Sequence, residues 1–335
     1  MNLAPLAEVT RGGRVESLHA GAVAVVNSRG ELLYHAGDPD FPTFTRSTLK
    51  PFQALPFMRD GGAAHFGFGS RELALMCASH SGEPMHVDLV QAMLAKAGCD
   101  EHHLRCGCHV PIHYATADQR PAAEECFSQL HNNCSGKHAG FLAYCVQHGL
   151  PLDTYIDAQH PLQQAIRQDV ARIVALPESD LMPGIDGCSA PNYAMPLSRL
   201  ALGYARLAQG GSAPEYGNEL GQLFDAMTSH PELVSGSGRA DLAFMQAAPG
   251  DWVAKGGAEG VQAIGIRSAG LGIAIKVADG NARALYPAAI AILQQLGLMD
   301  AGASAPLAPW MQPLLRNLRG LATGDIRATV RLVQA

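Results

Sequence analysis

Apolar runs of strand type lie at both ends of this chain, and the stretch between them has mostly helical period. Gly21-Ala-Val-Ala-Val-Val-Asn27-Ser-Arg-Gly30-Glu-Leu-Leu-Tyr34 sets two apolar runs around a polar turn and reads as a hairpin. Far downstream, Val261–Arg267 and Leu271–Val277 form a second pair, separated by Ser268-Ala-Gly270 and closed by Asp279-Gly280-Asn281. Between the hairpins, apolar residues recur at spacings of three and four over 48–59, 70–78, 85–97, 121–130, 137–148, 160–175, 196–209 and 216–229, and 284–297 follows the last strands. Strands supplied by both ends predict an α+β fold: one antiparallel sheet formed from both termini, with a central helical region packed on it. No stretch reads as a linker, so 1–335 is expected to be a single domain, its sheet part at about 15–45 and 250–335 and its helical part at about 46–249. Asp325–Leu332 reads as a short edge strand.

With 335 residues, 47% of them hydrophobic and 16% charged, the chain can bury a large core. Net charge is −6 and no basic stripe is present, which argues against nucleic acid as a partner. Met1–Glu16 carries Glu8, Arg11, Arg14 and Glu16 rather than an apolar signal core, and no apolar run reaches the ~18 residues a membrane span needs. The expectation is a soluble, cytoplasmic protein without membrane contact. Its eight cysteines, at 77, 99, 106, 108, 126, 134, 145 and 188, are then expected as thiols or metal ligands rather than disulfides. Taken one at a time, each reads as a small buried hydrophobe.

The residues that carry chemistry are serines and lysines. Ser47-Thr48-Leu49-Lys50 is an S-x-x-K; its spacing places Ser47 and Lys50 on one helix face. Pro51 is tolerated only in a first helical turn, so Ser47 is expected at a helix start, where free N–H groups favour developing negative charge. A plain N-cap is the alternative role for this serine. Ser79, in Cys77-Ala-Ser79-His80-Ser-Gly82, is a second serine, and Lys255-Gly256-Gly257 sits at a strand end whose glycines admit a ligand close to backbone. A serine hydroxyl needs a base, and lysine serves only when neutral; burial or nearby positive charge must bring its pKa down by about 3 from roughly 10.4. Such residues point to acyl transfer or amide hydrolysis. S-x-x-K followed by Lys-x-Gly resembles penicillin-binding proteins and serine β-lactamases, but Lys-Gly-Gly replaces their Lys-Thr-Gly, and their Ser-Asp-Asn is missing.

Two polar segments stand out further on. In His131-Asn-Asn-Cys134-Ser-Gly-Lys137-His138-Ala-Gly140, Cys134 and Lys137 share a helix face. Met182-Pro-Gly-Ile-Asp186-Gly-Cys188-Ser-Ala-Pro191 reads as a turn-rich loop. Cys134, Cys188 and either His138 or Lys137 form a possible zinc set. Cys106-Gly107-Cys108-His109 is locally more metal-like but reads equally as a turn, and His102, His103, His109 and His113 read as surface or core histidines. Arg46 and Asp186 suit the carboxylate and ammonium of an amino acid, with an ordinary ion pair as the alternative.

Together these segments resemble one family, the rhizobial-type (class 3, asparaginase II family) L-asparaginases. The resemblance rests on Arg46-Ser-Thr-Leu-Lys-Pro-Phe-Gln53, Cys77-Ala-Ser-His-Ser-Gly-Glu83, His131 to His138, Gly184-Ile-Asp-Gly-Cys-Ser-Ala-Pro191, His230-Pro-Glu-Leu-Val-Ser-Gly236 and Ala254-Lys-Gly-Gly257. It implies a fold like those of serine β-lactamases and glutaminases, a homodimer, and hydrolysis of L-asparagine to L-aspartate and ammonia. It also implies two Ser-Lys tandems, Ser47 with Lys50 and Ser79 with Lys255, and a zinc held by Cys134, Lys137 and Cys188 with a water. Arg46, His80 and Asp186 fall beside the substrate in the same pattern. Ser47 is the first choice of nucleophile and Ser79 the second. Competing readings are a glutaminase or other serine amidase of this fold, a hydrolase using metal-bound hydroxide at Cys134, Lys137 and Cys188, and a non-catalytic zinc or redox protein.

Overall fold

A computed structural model describes residues 2–210, 218–299 and 301–335. The chain divides into two compact units: Met1–Thr48, Met195–Ala208 and Ala243–Ala335 form one, Leu49–Ala194 and Gln209–Leu242 the other. Among the described residues, twelve strands run in chain order as β1 (Ala4–Arg11), β2 (Arg14–Asn27), β3 (Leu32–Ala36), β4 (Pro42–Phe44), β5 (Met182–Ile185), β6 (Pro191–Pro196), β7 (Trp252–Gly257), β8 (Val261–Ile266), β9 (Leu271–Val277), β10 (Leu314–Arg316), β11 (Ala322–Ala328) and β12 (Val333–Gln334).

The first unit is built on an antiparallel sheet of order β10-β11-β1-β2-β9-β8-β7, with β3 beside β2 and β12 beside β3. Both termini therefore feed one sheet, as the apolar runs predict. The strand of residues 21–27 pairs in unbroken register with 271–277, Ala24 opposite Ala274. Val23, Val25, Ile264, Ile273 and Ile275 are fully buried. Helix Leu197–Gln209 belongs with this unit because small residues let it in: a Cβ on Gly272 would sit 1.9 Å from the Ala201 carbonyl oxygen. Helix Ala282–Gln295 also packs on the sheet, against β1, β8, β9 and β11. Its cap is Asn281, whose Oδ1 accepts the Arg283 N–H at 3.1 Å.

The second unit is mainly helical, with Ser70–Met76, Pro84–Lys96, Ser135–Gln147, Pro161–Val174 and Glu219–Ser229 as its longer helices. Ser135–Gln147 is its centre, buried from Ser135 to Cys145. Gly136 and Gly140 let Ser70–Met76 lie directly on it; a Cβ at Gly136 would be 2.5 Å from the Leu75 carbonyl oxygen. That close crossing sets the residues following Ser70–Met76 beside the start of Ser135–Gln147. No helix among the described residues is long and apolar enough to cross a membrane.

Several elements differ from the sequence expectation. The expected helix 121–130 is turns and extended chain, with a single 3₁₀ turn at Gln129–His131; Ala122 and Ala123 are exposed, so no apolar face exists to bury. The expected helix 48–59 is three short helical turns, 46–49, 50–53 and 55–59, because Pro51 and Pro56 each withhold a backbone N–H. The strand expected at 325–332 is β11, which lies inside the sheet between β10 and β1 rather than at its edge. β1 was not anticipated, although Gly12-Gly13, both with positive φ, closes a two-residue hairpin into β2. The loop 182–191 holds a hairpin, β5 against β6, masked by the weak strand propensity of Pro183 and Gly184. The helix expected at 216–229 is seen as Glu219–Ser229, and its first two positions lie outside the described residues.

Candidate active site

In the sheet unit, Arg46 and Ser47 open the 3₁₀ turn Arg46–Leu49. Arg46 has φ +50°, a left-handed conformation uncommon for a residue with a side chain. Thr48 fastens the turn: its backbone N–H and its hydroxyl both donate to the Thr45 carbonyl, at 3.2 and 2.6 Å. The Tyr204 hydroxyl donates to the Thr48 carbonyl at 2.8 Å. The end of β7 runs alongside: a Cβ on Gly257 would lie 3.1 Å from the Thr45 carbonyl oxygen and 3.4 Å from the Ser47 nitrogen. Glycine at 257 is thus what lets the Lys255-Gly-Gly segment touch the Arg46-Ser47 turn. Lys255 is fully buried, with Nζ 3.0 Å from the Gly256 carbonyl, while Ser47 is only half-buried.

In the helical unit, Lys50 is buried and its Nζ faces three groups: the Ala78 carbonyl at 2.5 Å, the Ser79 Oγ at 2.9 Å and the Asn133 carbonyl at 3.4 Å. The two carbonyls can only accept, so they take two N–H bonds. The third position, toward Ser79, either donates to the hydroxyl or, with the amine neutral, accepts its proton. Ser79 is held from behind, its N–H donating to the Val234 carbonyl at 2.9 Å. The Ser81 hydroxyl donates to the Ser235 carbonyl at 2.7 Å. Gly236, at φ +112°, completes this seam; a Cβ there would lie 2.6 Å from Ser81 Oγ and 2.7 Å from Glu83 Oε1.

His80 is fully buried and spends its groups on the same junction. Its N–H donates to the Asn133 carbonyl at 3.2 Å, its Nδ1 accepts the Gly82 N–H at 3.2 Å, and its Nε2 pairs with Ser135 Oγ at 2.8 Å. The Ser135 hydroxyl in turn donates to the Leu130 carbonyl. Burial first, then the neighbouring His86 and Lys50, holds the ring's pKa well below its ordinary value, so it is a neutral strut. The N–H of Asn133, a residue missed in the sequence, donates to His109 Nε2 at 3.0 Å. A role played through backbone carbonyls leaves no side-chain signature, which is why only the polarity of the segment was visible.

Cys134 precedes the helix Ser135–Gln147 and Lys137 sits one turn in, on the shared face that their spacing predicts. Cys188 comes from the tip between β5 and β6, where the Ser189 N–H donates to the Asp186 carbonyl at 2.9 Å and Ser189 has φ +70°. All three side chains are buried, with Lys137 Nζ 3.1 Å from Cys188 Sγ. Cys134 keeps the proton it shares with Cys188, which with burial pushes its thiol up; that hydrogen bond, aided by Lys137, holds Cys188 down as a thiolate. Burial opposes the charge on Lys137, but Cys188, Cys134 and Asp186 outweigh it and raise the pKa. These shifts favour the charged form of Lys137, whereas a lysine binds metal only when deprotonated. Asp186 is half-buried at the same tip, its Oδ1 accepting the Gly187 N–H.

Among the described residues no group of three or more His, Cys, Asp or Glu is placed to hold a metal ion, so a metal here requires the lysine. Two sulfurs and an amine are donors that suit zinc. All eight cysteines are free; Cys108 and Cys126 are exposed and the rest buried. Cys106 lies near this cluster, its thiol pushed up to about 12 by burial and then by Cys188.

The L-asparaginase II family model matches residues 7–328. The chain belongs to that family. No curated protein sequence matches it. Among solved structures it is similar to Mglu in its native form, at 18% identity and a TM-score of 0.39, covering 84% of this chain and 62% of that one. It is also similar to a β-lactamase from Mycobacterium bovis, at 14% identity and TM-score 0.32 over 87% and 95% of the two chains. Simvastatin synthase from Aspergillus terreus, as the LovD6 mutant, matches at 12% identity and TM-score 0.36 over 82% and 93%. The chain spans 62% of the length of the Mglu chain.

Proposed function

We propose that this chain, acting as a homodimer, hydrolyses L-asparagine to L-aspartate and ammonia by serine–lysine catalysis. The observation that carries this reading is the buried Lys50, whose Nζ lies 2.9 Å from Ser79 Oγ with two carbonyls occupying its other directions. A hydroxyl held this close to a buried lysine is placed to relay a proton to and from it. Ser47, the more exposed serine, attacks the side-chain amide carbon of asparagine, and Lys50 with Ser79 carries its proton to the leaving nitrogen. Ammonia departs, and water hydrolyses the acyl-enzyme ester by the same groups. Backbone N–H groups near Ser47 and Gly257 stabilise the oxyanion, an effect of roughly 3–4 kcal/mol per donor. Lys255 adds positive charge on the same side. Arg46 takes the α-carboxylate and Asp186 the α-ammonium, while His80 holds the frame around Ser79.

Cys134, Lys137 and Cys188 would hold a zinc ion, which when bound supplies a fixed positive charge near the substrate's polar end. Its binding displaces the protons on Cys134 and Lys137.

The test is ammonia release from L-asparagine and L-glutamine, side by side, for wild type, Ser47→Ala and Ser79→Ala, with mass spectrometry of quenched reactions. We expect asparagine turnover, its loss in Ser47→Ala, and an acyl adduct on the peptide bearing Ser47. An adduct on Ser79 would transfer the nucleophile's role there, and turnover surviving both substitutions would refute serine catalysis.

A further inference from the structure

Lys276 lies on β9, two strands in from the edge strand β7 that carries Lys255-Gly-Gly, and plays no part in the chemistry proposed above. The register sets Gly257 opposite Val261 and Val261 opposite Lys276; Lys255 stands opposite Ala263, and Ala263 opposite Ala274. Residues directly opposite share a face, and so do residues two apart in one strand. Lys255, Gly257 and Lys276 therefore belong to one face of the sheet, the face on which Gly257 meets the Arg46-Ser47 turn. Lys276 Nζ donates to the Glu259 carbonyl at 2.5 Å and to the Val277 carbonyl at 2.9 Å. Glu259 sits in the turn 258–260, which joins β7 to β8 directly after Gly257. Glu259 has φ +62° and Gly260 φ +67°, two left-handed residues in succession. Asn-Gly is the pair that such a turn favours. Glutamate, whose Cβ crowds the backbone there, persists only where its surroundings hold it. Three contacts do so: the Lys276 amine on the Glu259 carbonyl, the Val277 N–H on the Gly260 carbonyl at 2.8 Å, and Gly280, where a Cβ would lie 2.6 Å from Glu259 Oε2.

We infer that Lys276 is a positioning residue for the oxyanion side of the site: its amine holds the strained turn 258–260, and through it the Gly257 backbone, against the Arg46-Ser47 turn. The catalytic part of this inference rests on the serine–lysine reading above; the hold on the turn does not. An oxyanion forms only on the way through the transition state, so a group that acts by placing its donors is felt in kcat and hardly in KM.

The experiment has two arms. In the first, ammonia release from L-asparagine is measured for wild type and Lys276→Met, which keeps much of the side chain's length without its nitrogen. The variant should lose about 10–100-fold in kcat with KM little changed. Lys276→Arg, which retains N–H donors, should recover part of the loss. Adding Glu259→Asn to Lys276→Met gives the turn its favoured pair and should restore most of kcat. A raised KM with kcat intact, wild-type kinetics in Lys276→Met, or a double variant no better than Lys276→Met would overturn the inference. Should Lys276→Met fail to fold, the double variant, freed of the strain, is expected to fold; its failing too would refute a role exerted through this turn. The second arm needs no turnover. In hydrogen exchange read by mass spectrometry, peptides covering 255–261 and 276–278 should exchange faster in folded Lys276→Met than in wild type, and the double variant should slow them again. Equal exchange in wild type and Lys276→Met would refute the hold on the turn. If wild type releases no ammonia, the asparaginase reading falls, and the exchange arm decides what Lys276 holds.

Discussion

Lys50 has its three nearest polar groups arranged so that two are carbonyls and one is a hydroxyl. That arrangement fixes the lysine's direction whether or not it is charged, and it depends on Ser79 being pinned by the Val234 carbonyl. The pin itself depends on Gly236. Gly236→Ala would place a Cβ 2.6 Å from Ser81 Oγ in a backbone conformation that alanine resists. We expect it to cost about 1–3 kcal/mol in urea unfolding and to lower turnover more than the equivalent change at the open turn glycine Gly12, where no atom lies within 4 Å. Equal effects at the two glycines would show that the seam does not position Ser79. At this scale the sequence was informative where a side chain makes the contact: it singled out Lys50 and Ser79, whose side chains lie 2.9 Å apart, and Lys137 and Cys188, 3.1 Å apart. It was silent on Asn133, Val234 and Ser235, which act through carbonyls, and on Tyr155, whose partner His138 is 17 residues away.

The element that joins these residues is the stretch from the Ser79 loop into helix Pro84–Lys96. His86, in the first turn, accepts the Glu83 N–H at Nδ1 (3.2 Å), and its Nε2 donates to the Glu232 carbonyl (3.1 Å). Accepting at Nδ1 requires a neutral ring, and burial lowers its pKa in that direction although the Glu232 carbonyl raises it. Above the ordinary histidine value of about 6.5 the folded and unfolded chains are alike at this site. Below it the unfolded chain binds the proton more readily, so stability falls with pH, by up to about 1.4 kcal/mol per pH unit. His80 adds a slope of the same sign. Urea midpoints at pH 7.5 and 5.5 should therefore differ in wild type and differ less in His86→Gln; an undiminished difference would exclude this histidine as a cause. In the sheet unit, Asn281→Ala should cost about 1 kcal/mol through the lost cap of helix Ala282–Gln295, read from the same urea curves; an unshifted midpoint would contradict the capping role. Elements were legible where their apolar period was long and unbroken, as in β2, β8, β9 and helix Pro161–Val174. They were lost where proline interrupted a period, at Pro51 and Pro56, or where short strands such as β5 carry residues with poor strand propensity.

Across the whole molecule, the both-ended sheet was readable because its central strands are nearly continuous apolar runs. The sheet and helical parts read from the sequence fall close to the two compact units, but helix Leu197–Gln209 was placed in the helical part, since it joins the sheet through glycines whose missing side chains leave no period. Membership of the L-asparaginase II family spans residues 7–328 and so both units. On the function proposed, the buried Lys50 beside Ser79 is the proton-transfer group of an asparagine amidohydrolase. The most direct measurement is ammonia release from L-asparagine by wild type and by Lys50→Met, which keeps much of the side chain's length without its nitrogen, with urea unfolding run on both. We expect turnover in wild type and a loss of about 10²–10⁴-fold in a folded Lys50→Met protein. A folded variant that hydrolyses asparagine at the wild-type rate would contradict it.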